Sequence, residues 1–376
     1  MLRERAPIVD REASYPHRSM EIVHEHGILN AVAPQSLGGY DLGPNGDMWG
    51  YFQVLDGLAT GCASTAQLVG VHFAAMATVK GVGTSAQLER FAAATSDEAA
   101  TFCYLGSEPT QRFTRTGSRS RYESSARRVD GGWVIDANKF FATRSMGCRY
   151  VMPLCMVEGA TDLSGLLVPV LPVDDPGVEI RDTWDNMGQR STTSGVCQIT
   201  DVFVPDEMTI GGPGDFLKPR TIGPMFQLTF AAMFNGIAQG ALDFTIDYLT
   251  NHATPPVGFE QALDEPQVAP LIGDMTVKIE AGRSLVRRAA ELLTGIEQRQ
   301  ADLSEATRAV HQAQVHAAQT SVEIGSTLFR LCGARATSRK FNADMYWRNA
   351  RTLTLHDNLD RQLTAIGRSV LEHPDG

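Results

Sequence analysis

The chain has 376 residues, 43% of them hydrophobic and 20% charged, with a formal net charge of −10. That length and apolar content suffice for more than one packed unit. The acidic balance and the lack of any Lys/Arg run exclude a nucleic-acid surface, because displacing counterions from phosphates takes clustered cations.

The N-terminus, Met1-Leu-Arg-Glu-Arg5, leads into a charged helix instead of a signal peptide, so a cytoplasmic protein is expected. Apolar residues at helical spacing mark Ser19–Leu29, ending near Gly27 before the turn Pro34-Gln-Ser-Leu-Gly-Gly39. Further helices are expected over Met48–Thr60, Ser64–Val79 and Thr84–Ala94. Near Thr101 the period changes to segments rich in β-branched and aromatic residues, separated by Gly, Asp and Pro. Strands are expected at Thr101–Tyr104, Ser120–Val129, Gly132–Ile135, Tyr150–Val157, Leu163–Val170 and Gly195–Val204. Asp130-Gly-Gly132 reads as a hairpin turn, since glycine takes positive φ without a steric penalty. The apolar runs Tyr150–Met156 and Leu163–Leu171 are interrupted by Pro or Gly and are too short to span a bilayer.

After Pro205 the helical period returns, over Met225–Thr250, Pro266–Glu297, Ser304–Leu331 and Leu359–Leu371, with a loop at Asn251–Glu265. The result is an α+β fold of three parts: a helical domain at 1–99, a β-domain at 100–215 and a four-helix bundle at 216–376. The six cysteines have neither C-x-x-C spacing nor a secreted framework, so no metal site and no disulfide is expected. No P-loop, Gly-x-Gly-x-x-Gly, His-Glu-x-x-His or Gly-x-Ser-x-Gly motif is present.

Several local motifs follow the same order. They are Pro34-Gln-Ser-Leu-Gly-Gly39, Ser107-Glu108-Pro109, Gly132 to Thr143 with Lys139 near its end, Met187-Gly-Gln-Arg190, Val202-Phe-Val-Pro205 and Leu331-Cys-Gly-Ala-Arg335. With this layout the chain resembles the acyl-CoA dehydrogenases across nearly its whole length. In that family a glutamate near the C-terminus takes the substrate proton. Here Trp347-Arg-Asn-Ala-Arg-Thr-Leu-Thr-Leu-His-Asp357 places His356 in that slot, followed by Asp357. The segment is most similar to the reduced-flavin-dependent monooxygenases related to dibenzothiophene monooxygenase, with Leu353 and Asn358 as departures.

The resemblance implies a flavin monooxygenase that forms a C4a-hydroperoxide from reduced flavin and O₂ and oxygenates a small organic substrate. Such chemistry needs a dry cavity and a group that exchanges protons near neutral pH, for which imidazole, with an unperturbed pKa of about 6.5, is suited. His356 is the expected catalytic group. His72, on an apolar helix, is either a second flavin-facing histidine or a satisfied core residue. By the same resemblance Ser107 and Thr143 offer hydroxyls to the flavin ring, Phe141 and Trp184 wall it or belong to the core, and Arg335 contacts its phosphate. Asp357 reads as the N-cap of the last helix.

Ser107 to Arg112 lacks the family's Gly-rich continuation, and Asn251–Pro256 lacks a phosphate-facing Arg, for which His252 is the available substitute. These departures favour reduced FMN, or a loosely held FAD. The missing nicotinamide fingerprint implies a separate flavin reductase as partner, and the family implies a homotetramer. Two alternatives remain: an acyl-CoA dehydrogenase with Asp357 or Glu323 as base, and a non-catalytic scaffold subunit.

Overall fold

The computed structural model of the chain describes residues 1–110, 112–113 and 119–372, with backbone only at 112–113 and 119–120. Gln111, the side chain of Arg112 in the Ser107–Arg112 departure, the side chain of Ser120 at the start of the expected Ser120–Val129 strand and the last four residues of the bundle region lie outside the described residues.

The N-terminal part holds α1 (Leu2–Glu12), α2 (His17–Glu25), α3 (Met48–Gly61), α4 (Ala63–Val82) and α5 (Ser85–Glu98). Helix α2 stops three residues before Ile28, because Gly27 turns the chain at φ +70°. Helix α3 starts where Asp47 accepts the Gly50 N–H, and α5 starts in a Thr84/Gln87 capping box. Helix α4 is apolar on nearly every face and runs through the middle of the molecule, buried from Ala63 to Val79 except at Gln67.

The middle part contains β1 (Phe102–Leu105), β2 (Arg112–Phe113), β3 (Arg119–Arg121), β4 (Ser125–Val129), β5 (Gly132–Ala142), β6 (Tyr150–Pro153), β7 (Cys155–Val157), β8 (Leu166–Leu167), β9 (Leu171–Pro172), β10 (Val178–Arg181) and β11 (Gly195–Pro205). A mixed sheet runs β10-β11-β5-β4-β7-β8, a smaller one runs β1-β6-β9, and β2 pairs with β3. The expected hairpin is β4–β5: Val129 faces Gly132, and Asp130-Gly131 forms the turn with Gly131 at φ +71°.

Tyr150–Val157, expected as one strand, is two strands in two sheets. Pro153 has no N–H for a ladder, the Leu154 N–H goes back to Leu105, and the Met156 N–H crosses to Ser124. The Leu163–Val170 strand is likewise shorter than expected, opening as a 3₁₀ turn over Leu163–Gly165.

The C-terminal part holds α6 (Ile222–Asn251), α7 (Val268–Glu297), α8 (Leu303–Cys332), α9 (Asp344–Leu353) and α10 (Leu359–Glu372). Asp302 caps α8, and Gly333, at φ +71°, ends it. The short helix α9 was not resolved from the sequence pattern. It crosses α8 at Gly325, where an added Cβ would lie 2.9 Å from the Trp347 Cα, so only glycine permits the approach. One continuous apolar core joins the N-terminal helices, both larger sheets and the bundle. All six cysteines are buried and free. No helix among the described residues is long and apolar enough to cross a membrane.

Candidate active site

Strand β5 builds one wall. Its side chains alternate inward and outward from Trp133 to Lys139, so Lys139 faces the interior with no exposure. A buried ammonium is tolerable only when paired. Lys139 Nζ donates to Glu108 Oε1 and to the Leu154 carbonyl, at 2.7 and 2.6 Å. Glu108 accepts in addition from the Ser124 hydroxyl and N–H and from the Glu123 N–H. Burial pushes the Glu108 carboxyl up, but the Lys139 charge and these hydrogen bonds outweigh it and hold the group below the usual carboxylate range. The latch fixes the Ser107-Glu108-Pro109 turn against β5, where the Phe140 N–H donates to the Ser107 carbonyl.

Beyond Lys139 the alternation breaks. Phe140 pairs with Val196 and Ala142 with Gly195, so Phe141 is an extra residue, at φ +54°. Phe140 keeps the outward phase of the alternation and the bulge adds Phe141 beside it: the two are 39% and 50% exposed, while Ala142 is buried. Phe141 meets the edge of Trp184, ring centroids 6.1 Å apart, and the Trp184 indole N–H donates to the Gln189 carbonyl. Thr143 follows at the lip, 7% exposed, with Ser194 and Thr192 behind it in hydroxyl contact. Ser107 and Thr143 are thus tied to the Phe140–Phe141 stretch through backbone hydrogen bonds, and Trp184 packs on Phe141.

Helix α9 closes against that face. Gly188 abuts the Arg348 carbonyl, the Gln189 N–H donates to Asn349, and Arg348 reaches the Met187 carbonyl as well as Asp10 of α1. Arg348 and Asn349 in the C-terminal motif thus act as fasteners for the Met187–Gln189 loop. The Gln189 side-chain amide, in contrast, is buried with no hydrogen-bond partner on either atom among the described residues, as is the Thr352 hydroxyl.

At the end of α9, His356 stacks on Phe230 of α6, centroids 3.8 Å apart, and meets Phe226 at 5.8 Å. Phe226 in turn lies near Tyr104 of β1, just before Ser107. His356 Nδ1 is 3.7 Å from Asp357, and its side chain is 37% exposed. Its Nε2 makes no hydrogen bond among the described residues. Phe226, Phe230 and Gln189 were not singled out in the sequence; nothing marks the two rings there beyond their spacing on a helix that packs beside the motif.

Three expectations are corrected. Asp357 does not cap α10: Asn358 accepts the Arg361 N–H, while Asp357 accepts from Gln314 of α8. Burial pushes the Asp357 carboxyl up, but His356, Gln314 and His311 outweigh that and hold it low. His72 is fully buried. Its Nε2 donates to the Leu29 carbonyl, its Nδ1 accepts the Phe102 N–H, and its ring stacks on Phe102. Burial, with the nearby Arg144 charge, pushes its pKa down to about 3, so the ring is neutral and has no nitrogen left for a cofactor.

Arg335 also stands apart. It is exposed and donates to the His252 carbonyl at the C-terminal end of α6, whereas His356 packs on the second and third turns of that helix. The two are separated by roughly 30 Å of helix. Glu323 is exposed on the bundle, paired with Lys278. A recess of about 590 Å³ between Pro44, Lys218, Arg220 and Glu297 contains none of these groups.

The wall suits a planar ring system: exposed aromatic faces at Phe141 and Trp184, a hydroxyl at Thr143, and buried amide atoms at Gln189 without partners. Comparison with known proteins agrees. Acyl-CoA dehydrogenase family models match in series, the N-terminal domain at residues 1–98, the middle domain at 103–202 and the C-terminal domain at 228–361. Dibenzothiophene monooxygenase of Mycolicibacterium goodii is 26% identical, over 96% of this chain and 89% of the relative. The probable FMNH2-dependent monooxygenase SfnC of Pseudomonas putida is 27% identical, over 96% and 90%. The crystal structure of TdsC from Paenibacillus sp. A11-2 with FMN and indole superposes with a TM-score of 0.88 at 25% identity, covering 99% of this chain and 94% of that one. From its domain order, motifs and matched models, the chain belongs to the acyl-CoA dehydrogenase family.

Proposed function

We propose that this protein is a reduced-FMN-dependent monooxygenase acting on a small aromatic or heteroatom-bearing molecule. The observation that carries the proposal is the side chain at the end of α9: a half-exposed imidazole stacked on Phe230, where a dehydrogenase needs a carboxylate. The other carboxylates considered are committed elsewhere, Asp357 to Gln314 and Glu323 to Lys278.

Bound reduced FMN supplies two electrons to O₂, so that one oxygen atom enters the substrate and the other leaves as water. Phe141 and Trp184 hold the ring plane, and Ser107 and Thr143 meet its polar edge. His356 holds and returns a proton at Nε2, with Asp357 beside Nδ1 orienting the imidazole. Phe226, Phe230 and Tyr104 keep the cleft apolar and exclude water.

Arg335, too distant to serve a flavin in its own chain, is proposed to meet the phosphate of a flavin held by a neighbouring copy in a homotetramer. A separate reductase delivers the reduced flavin. The test mixes anaerobically reduced FMN and protein with O₂ and a panel including indole and benzothiophenes, measuring product and H₂O₂. His356→Ala is expected to lower oxygenation about 100-fold or more, with O₂ diverted to H₂O₂. Full oxygenation without extra H₂O₂ would overturn the role of His356.

A further inference from the structure

Behind Thr143 lies a chain of three buried hydroxyls that ends on a backbone carbonyl oxygen. Thr192 Oγ1 is 2.9 Å from the Gln189 carbonyl oxygen, 2.8 Å from Ser194 Oγ, and Ser194 Oγ is 2.8 Å from Thr143 Oγ1. A hydroxyl has one hydrogen to donate and lone pairs to accept with. A carbonyl oxygen only accepts, and the Gln189 oxygen also lies in reach of the Trp184 indole N–H and the Thr192 N–H. The direction of the chain follows when the Thr192 hydroxyl hydrogen is on that oxygen. Ser194 must then donate to Thr192, and Thr143 must donate to Ser194. All three groups are buried, Thr192 completely. Thr143 is left with lone pairs only toward the cleft.

This polarity bears on redox state. Oxidised isoalloxazine presents a lone pair at N5, whereas reduced flavin carries a hydrogen there in both its neutral and its anionic form. A lone pair facing a lone pair repels, and a lone pair facing N–H makes a hydrogen bond. We propose that the Thr143–Ser194–Thr192–Gln189 chain fixes Thr143 as an acceptor and so makes this wall selective for reduced over oxidised FMN. Ser194 and Thr192 are positioning residues, acting through Thr143. The proposal rests on Thr143 facing the flavin, as proposed above.

The test is anaerobic titration of the full-length protein with oxidised and with photoreduced FMN, giving two dissociation constants per variant and the midpoint potential of bound FMN. Wild type should favour reduced FMN. Ser194→Ala releases the Thr143 hydrogen, and the preference should fall about threefold to tenfold. The midpoint potential should drop by up to about 30 mV, the equivalent of tenfold for two electrons. Ser194→Thr, which keeps the hydroxyl, should restore the wild-type ratio. Thr192→Val removes the anchor of the chain from the other end and should act like Ser194→Ala, and it carries the test if that variant does not fold. Thr143→Val separates the two ideas. If it leaves both affinities unchanged, Thr143 does not face the flavin. If it changes them while Ser194→Ala and Thr192→Val leave the ratio untouched, Thr143 is at the flavin and the proposed polarity is overturned.

Discussion

Two polar regions of the β-domain lie within a few residues of each other and are built in opposite ways. In the latch, Glu108 and Lys139 are buried and their bonds are shared among Ser124, Glu123 and Leu154. At the wall, the Gln189 amide and the Thr352 hydroxyl are equally buried and unmatched, and two phenyl rings face outward. Burying a polar group without a partner costs about 1–3 kcal/mol. The fold thus satisfies one region in full and leaves polar atoms of its neighbour unmatched among the described residues, which is the region where the proposed flavin would sit. The histidines divide in the same way: His72 has both nitrogens bonded in the core, while His356 has its Nε2 unbonded beside the cleft.

The contrast can be broken by experiment. The largest effect is expected at the latch, where Glu108→Gln leaves a buried ammonium uncompensated and should destabilise by about 3–5 kcal/mol. Denaturant unfolding measures this, and the loss should shrink in acid. The folded Glu108 pKa lies below its unfolded value, so its contribution is complete above about pH 4.3 and disappears as pH falls through the folded value. A loss below about 1 kcal/mol would mean that the latch is not closed as described.

His72 comes next. Its neutral ring must be protonated in the unfolded chain below pH ~6.5 but not in the folded one until about pH 3. The unfolded state then binds more protons, so stability should decline with acidification across that window by up to about 1.4 kcal/mol per pH unit. His72→Gln should flatten this slope, and an unchanged slope would place the titration elsewhere.

The smallest effect on stability belongs to the open wall. Gln189→Leu removes an amide with no partners, so unfolding should shift by less than about 1 kcal/mol, or toward greater stability, while FMN binding weakens measurably. A loss comparable to that of Glu108→Gln would show that the wall is structural after all.

Much of this arrangement was legible in the residues. The helical, β and helical order followed from a change of period near Thr101 and its return after Pro205. The choice of Ser107, Phe141, Thr143 and Trp184 as site residues followed from family motifs rather than from pattern. Other features were hidden for identifiable reasons. A lone His on an apolar helix looks the same whether its nitrogens meet backbone or ligand, and only the fold brings Leu29 and Phe102 to His72. Asp357 and Asn358 are both good caps, and the choice was made by Gln314, forty-odd residues away. Lys139 did leave a signal, since a lysine at an inward position of an alternating strand requires a buried acid, and Glu108 was already in view.

The bulge at Phe141 has a consequence for how such a site can change over evolutionary time. The outward turn of the two rings depends on the count of residues between the Asp130-Gly131 turn and Ala142, not on which rings they are. Exchanging one side chain for another along this stretch alters the surface offered to a ligand and leaves the sheet intact. Losing or gaining a single residue between that turn and Lys139 would reverse inside and outside for the following residues, sending Lys139 into solvent and a phenyl ring into the latch. Divergence at this wall is therefore open to substitution and closed to insertion or deletion.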